Sequence, residues 1–160
     1  MDGVDERTLK TGQREAFIAN RADRKRSLDA LHQVEHFAGA AATGREQAWT
    51  ADIGDALTAL EAALSEQGRH SGESDSPLSD IEVQEPRLRN RVTQLRQRYG
   101  DLKRRIEEVR SQLDTTAGAC ADVDDIRHRL ENLAAELRYV RAREADLVYE
   151  AYSVDIGAGD

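Results

Sequence analysis

Two stretches decide the fold: residues 88–116, LRNRVTQLRQRYGDLKRRIEEVRSQLDTT, and residues 123–154, VDDIRHRLENLAAELRYVRAREADLVYEAYSV. In the first, Leu88, Val92, Leu95, Tyr99, Leu102, Ile106, Val109, Leu113 and Thr116 recur in alternating steps of four and three. In the second, the same rhythm picks out Val123, Ile126, Leu130, Leu133, Leu137, Val140, Glu144, Leu147, Ala151 and Val154. A seam of that period is carried by a helix. Continuing the first register would put a d position at 123, where the second seam needs an a. Two separate helices follow, with the break in residues 117–122, where Gly118 suits a helix end and Asp122 or Asp124 an N-cap. Folding the chain back at that break sets 116 opposite 123, 109 opposite 130, and so on to 88 opposite 151. All nine layers then match an a position with a d position. The expected object is a long antiparallel hairpin, about 45 Å tall.

The flanks of the seam imply further helices. Residues 88–116 carry Arg89, Arg96, Lys103 and Arg110 at e, and Arg91, Arg98, Arg105 and Gln112 at g. The second stretch answers with Arg127, Ala134, Arg141 and Val148 at e, and Arg129, Glu136, Arg143 and Glu150 at g. Arginine would often face arginine in a two-helix object, so acidic neighbours are expected from elsewhere. Leu147, Val148, Ala151 and Tyr152 also make a wider apolar face than one seam requires. An all-α, antiparallel four-helix bundle built on the C-terminal hairpin satisfies both features.

The first half of the chain supplies two candidates. A helix is expected from about Gln13 to Ala42, with its seam at Ala30, Leu31, Val34, Phe37 and Ala41, and with solvated turns over 20–26. A second runs from about Arg45 to Gln67, presenting Trp49, Ile53, Leu57, Leu60 and Leu64 on one face. The domain reading is a disordered N-terminus over 1–12 and a bundle over 13–152 with a flexible linker at 68–85, where glycine and serine cluster. A tail follows over 153–160, and Pro86 fits the first turn of the third helix.

Charge is zoned along the chain. Residues 41–85 hold 2 basic against 10 acidic side chains, whereas residues 86–110 hold 9 against 3, within a net charge of −8. The acidic second helix, with Asp52, Asp55, Glu61 and Glu66, is therefore the expected neighbour of the basic third. The overall negative charge argues against wholesale nucleic-acid binding, and no apolar run approaches the length of a membrane span. A single cysteine, Cys120, excludes an intramolecular disulfide and fits a reducing, cytoplasmic home.

Chemistry-bearing residues are sparse. His32-Gln33-Val34-Glu35-His36 matches H-x-x-E-H, in which His32 and His36 share a helix face and Glu35 stands beside them as a base. No third ligand follows at a known spacing, and no cofactor is expected. Glu144 is the one acidic seam residue, opposite Leu95, and an ion pair with Arg91 or Arg98 that fixes the register is its expected role. The acidic tip of Asp122, Asp124 and Asp125 and the basic flank of Arg89, Arg96, Lys103 and Arg105 form the candidate interaction surface. Acids at a helix start also satisfy its free N–H groups. No phosphate-binding glycine loop and no Ser/His/Asp arrangement is visible.

The segment Ala145-Asp146-Leu147-Val148-Tyr149-Glu150-Ala151-Tyr152-Ser153-Val154-Asp155-Ile156-Gly157, together with Pro86 to Leu102, resembles small actinobacterial helical proteins, some of which resemble hemerythrin-like bundles. That resemblance implies a bundle fold and, for hemerythrin-like domains, a di-iron site with ligands on all four helices. Only His32 or His36 could stand for one of those ligands, and Tyr99 stands where a third-helix histidine would be, so the ligand set does not carry over. The expectation is a non-catalytic cytoplasmic interaction or scaffold protein, with a protein partner or self-association. A hemerythrin-like metal- or oxygen-binding bundle and a hairpin factor that binds RNA polymerase are the alternatives.

Overall fold

The computed structural model describes residues 11–72, 76–116 and 122–157, excepting the side chains of 11–17, 19–20, 70–72, 116 and 153–157. The described residues form an all-α protein of five α-helices: α1 (Thr11–Gly39), α2 (Glu46–Gly72), α3 (Pro77–Gln84), α4 (Arg89–Thr116) and α5 (Val123–Gly157). A short 3₁₀ turn, Pro86–Leu88, leads into α4.

Both seams are buried as the heptad pattern requires. Leu88, Val92, Leu95, Leu102, Ile106, Val109 and Leu113 of the first lie inside, and so does every member of the second from Ile126 to Ala151. Tyr99 and Val123 are half-buried against the same core. Contacts across the two helices show their direction. Arg87 and Arg91 meet Glu150, Tyr99 meets Glu144, Arg98 meets Glu136 and Gln112 meets Asp125. Numbers rise in α4 as they fall in α5, so the pair is antiparallel. The break itself, and Cys120 and Gly118 with it, lies outside the described residues. Asp122 acts as the N-cap of α5, its carboxylate accepting from the Asp125 N–H at 3.0 Å.

The e positions of α5 turn inward. Ala134, Arg141 and Val148 are buried and Arg127 is half-buried, because α1 packs along that side. α1 also packs on α2 and α2 on α4, and all five helices contribute to one continuous core. α1 and α2 pack together along their length, and Ala30, Ala56 and Ala63 are buried on these helices. The e residues of α4 face α2 and α3: Arg110 pairs with Glu61, Arg96 pairs with Glu82 at 2.6 Å, and Arg89 donates to the Glu82 carbonyl. Of the acidic residues expected to meet α4, Glu61 does so, while Asp52 bonds Arg45.

Four sequence expectations need correction. The segment 68–85, read as a linker, is largely helical: α2 continues to Gly72, and Ser76 caps α3 by accepting from the Ser79 N–H. Pro77 occupies the first turn, and Pro77, Leu78 and Ile81 are buried, with α3 touching all four long helices. Apolar residues three apart behind a Ser-Pro start suffice for two turns once a core exists to receive them. The first helix ends at Gly39 rather than Ala42, and it is Ala42, not Ala41, that enters the core. Gly44 then takes a left-handed φ of 77° in the turn to α2. The solvated stretch 20–26 contains a buried Asp23. Finally, α5 runs past Tyr152 to Gly157, the last of the described residues.

Candidate functional site

The first site is internal. Among the described residues the buried polar side chains are Asp23, Ser27, Gln67, Ser76, Arg141 and Glu144, and all but Ser76 gather near one level of the core. Each long helix contributes: Ser27 from α1, Gln67 from α2, Tyr99 from α4, and Arg141 with Glu144 from α5. Gln67 is the hub. Its amide oxygen accepts from Arg141 Nη2 at 2.8 Å and from Ser27 Oγ at 3.5 Å. Its amide nitrogen donates to Tyr99 Oη at 3.1 Å and to Glu144 Oε2 at 3.3 Å. Tyr99 in turn donates to the same Glu144 oxygen at 2.6 Å, a charge-assisted bond.

Burial dominates the electrostatics of this layer. It holds the Tyr99 hydroxyl protonated far above the ordinary tyrosine range, and the neighbouring Glu144 carboxylate adds to the effect. Burial also works against the charged form of Arg141, which the nearby Glu144 carboxylate partly offsets. Glu144 is 1% exposed and Arg141 5%. Among the described residues Glu144 Oε1 and the Nε and Nη1 groups of Arg141 have no hydrogen-bond partner. A layer of this kind is costly to break one member at a time.

The expected Glu144 ion pair with Arg91 or Arg98 is not what forms. Arg91 pairs with Glu150 and Arg98 with Glu136, at 3.0 Å for the latter. The reason is geometric: both arginines lie on the g flank, which faces outward, whereas Glu144 points into the core toward α2. Arg91 and, second to it, Arg87 hold the Glu150 carboxyl below its ordinary range.

The second site is that outward g flank. Tyr139 of α5 is 42% exposed, with the Arg98 guanidinium 5.0 Å from its ring centre and that of Arg143 at 5.2 Å. Arg143 Nε also donates to the Tyr139 hydroxyl at 3.1 Å. The hairpin register would set Arg98 against Arg143, and the tyrosine ring lies beside both, giving each a cation–π contact. A cleft of about 250 Å³ lies here over Leu95 and Leu147, and a second of about 390 Å³ adjoins it, lined by Gln97, Asp101, Leu102, Arg105 and Glu136.

The remaining expected site residues are scattered. His32 and His36 are exposed, and His36 stands edge-on to Phe37 with ring centres 5.3 Å apart. Glu35 is engaged by Arg138 of α5, at 2.6 and 2.8 Å to its two oxygens. No group of three His, Cys, Asp or Glu placed to hold a metal occurs among the described residues. Of the tip acids, Asp125 accepts from Gln112, which, with Arg129 beside it, lowers its carboxyl from the usual range. Asp124 is exposed. Arg89 and Arg96 are turned to α3, and Lys103 approaches Gly68 on α2, so of the expected basic surface Arg105 alone belongs to the outer clefts.

Two features escape the sequence pattern. Gln67 takes the next seam step after Leu57, Leu60 and Leu64, but as a polar residue it breaks the apolar run that marks a core face. Arg127 reaches across to donate to the carbonyls of Ala38 and Ala40, both at 2.8 Å, closing the C-terminus of α1, while its guanidinium lies 5.6 Å from the centre of the Trp49 ring. Among the described residues no helix is long and apolar enough to cross a membrane. No family model, no curated protein and no solved structure matches the chain.

Proposed function

We propose that the chain is an antiparallel four-helix bundle, built on the long C-terminal coiled-coil hairpin of α4 and α5, that serves as a non-catalytic interaction or scaffold protein. The observation that carries this reading is the outer α4–α5 face. There an exposed tyrosine stands beside two guanidiniums above a leucine-floored cleft. Tyrosine and arginine are the side chains that concentrate binding energy at protein interfaces. The internal layer fits the same reading, since Tyr99, Gln67, Arg141 and Glu144 bond to one another and align the helices that present this face. The single cysteine supports a reducing compartment such as the cytoplasm as the setting.

Native mass spectrometry on protein purified from its own host tests the proposal. A stoichiometric complex with a protein partner, or a defined oligomer, is the expected result. A lone monomer, or bound iron or zinc that is lost on His32→Ala and His36→Ala, would overturn it.

A further inference from the structure

The two halves of α1 are held in different ways. Over 18–29 the buried members among the described side chains are Asp23 and Ser27, both polar, while Ile18, Arg21, Ala22, Lys25, Arg26 and Asp29 are exposed. From Ala30 onward the same helix buries Ala30, Leu31 and Val34. Arg138 engages Glu35 at 2.6 Å, and Arg127 closes the helix end at the Ala38 and Ala40 carbonyls. The change from polar to apolar anchoring falls within one turn, between Ser27 and Leu31.

The first half covers the polar layer. Gln67 Oε1 accepts from Arg141 Nη2 at 2.8 Å and from Ser27 Oγ at 3.5 Å, so Ser27 and Arg141 meet at one oxygen. The Ser27 bond is the longest in the layer. The one proton of that hydroxyl is also within reach of the Asp23 and Arg24 carbonyls, at 3.0 and 3.2 Å. Asp23 and Arg24 act on the Arg141 charge in opposite senses, which sets this turn of α1 beside the guanidinium as well. Beneath it, Arg141 Nε and Nη1 and Glu144 Oε1 lack hydrogen-bond partners among the described residues.

We propose that α1 from Thr11 to Ser27 is a strap that opens as a unit, on a hinge between Ser27 and Leu31, and uncovers Arg141 and Glu144 while the rest of the bundle stays folded. Over the turns from Ile18 to Asp29 the opening forfeits little apolar burial. It returns water to a guanidinium and a carboxylate whose hydrogen bonds are incomplete, which offsets part of its cost. A freed helix of about five turns is marginal in water, so the strap unwinds once it leaves the bundle. The buried Ala30, Leu31 and Val34, with the Arg138 and Arg127 contacts, stop the unwinding there. The device is independent of the interaction role, since it needs no partner.

Hydrogen exchange on the wild-type chain and thiol labelling of two variants test it. Ser27→Cys and Val34→Cys are each made in a Cys120→Ser background, both at positions that are 0% exposed, and circular dichroism checks their fold. A soluble aromatic disulfide then reports how often each thiol is uncovered. The Ser27→Cys thiol is expected to react about a hundredfold faster than the Val34→Cys thiol, because a local opening is more populated than global unfolding. Low urea should leave the first rate nearly unchanged and raise the second, since the strap exposes little surface. In the wild type, amides over 21–28 should exchange at one common rate, well above that of 31–39. Equal labelling rates, equal urea dependence, or protection that climbs turn by turn from Thr11 with no step at Ser27 overturns the strap.

Discussion

Replacing Gln67 by methionine tests the internal layer most directly, because the two side chains are similar in length and only the amide is lost. The amide makes four contacts at a site 3% exposed: Arg141 at 2.8 Å, Tyr99 at 3.1 Å, Glu144 at 3.3 Å and Ser27 at 3.5 Å. The Arg141 bond matters most. It is the guanidinium's one hydrogen bond among the described residues, its Nε and Nη1 groups having none. Losing a hydrogen bond to a buried charge costs about 1.5–3 kcal/mol, and leaving the charge without a partner raises the total toward about 3–5 kcal/mol. Ser27 retains its bonds to the Asp23 and Arg24 carbonyls, and Tyr99 still donates to Glu144, so those groups add little. The expected loss is about 3 kcal/mol, or about 6–12 °C in Tm for a chain of this size. Urea unfolding followed at 222 nm and by the emission of Trp49, the single tryptophan, measures it. The converse makes the reasoning refutable. Replacing Gln67→Met, Tyr99→Phe, Arg141→Met and Glu144→Leu together should be neutral or stabilising by about 1–4 kcal/mol, since the buried Arg141 and Glu144 charges are then removed as a pair. A single variant within about 0.5 kcal/mol of wild type, or a fourfold variant worse than the sum of its parts, would show that the layer does not act as described.

Three further outcomes follow from particular residues. The folded-state pKa of Tyr99 is raised, so its contribution is fully present below the ordinary tyrosine value of about 10 and is lost as pH rises beyond it. Between pH 10 and 12 the wild type should lose about 1.4 kcal/mol per pH unit more than Tyr99→Phe, as read from urea midpoints; parallel profiles would contradict this. Arg127→Gln removes two bonds to the end of α1 and the contact with Trp49, and should cost about 2 kcal/mol with a shift in Trp49 emission. Gly44→Ala forces a side chain into φ 77° and should cost about 1 kcal/mol, whereas Gly100→Ala, in open space within α4, should stabilise by up to about 1 kcal/mol; thermal melts showing the same sign for both would refute the distinction.

The two seams were legible because the buried face of a helix repeats a purely local signal. Leu88 to Leu113 and Ile126 to Ala151 announce which face is buried whatever stands opposite, and matching a with d makes the antiparallel register readable too. The inward turn of Arg127, Arg141 and Val148 was foreshadowed by the mismatch of charges along the flanks, although not by which helix would cover them. Tertiary structure alone decided the rest. α3 has too few residues to stand without a core, so its Ser-Pro start meant little until Leu78 and Ile81 had somewhere to go. Glu144 could be placed in the seam from its spacing, but the choice of Tyr99 and Gln67 over Arg91 and Arg98 depends on which side of the seam is interior. That side is set by α1 and α2, from residues some 75 positions or more away in the chain. Period and charge are properties of one helix and survive in its sequence. Hydrogen-bond partners and clefts belong to pairs of helices, and come into being only where two surfaces meet.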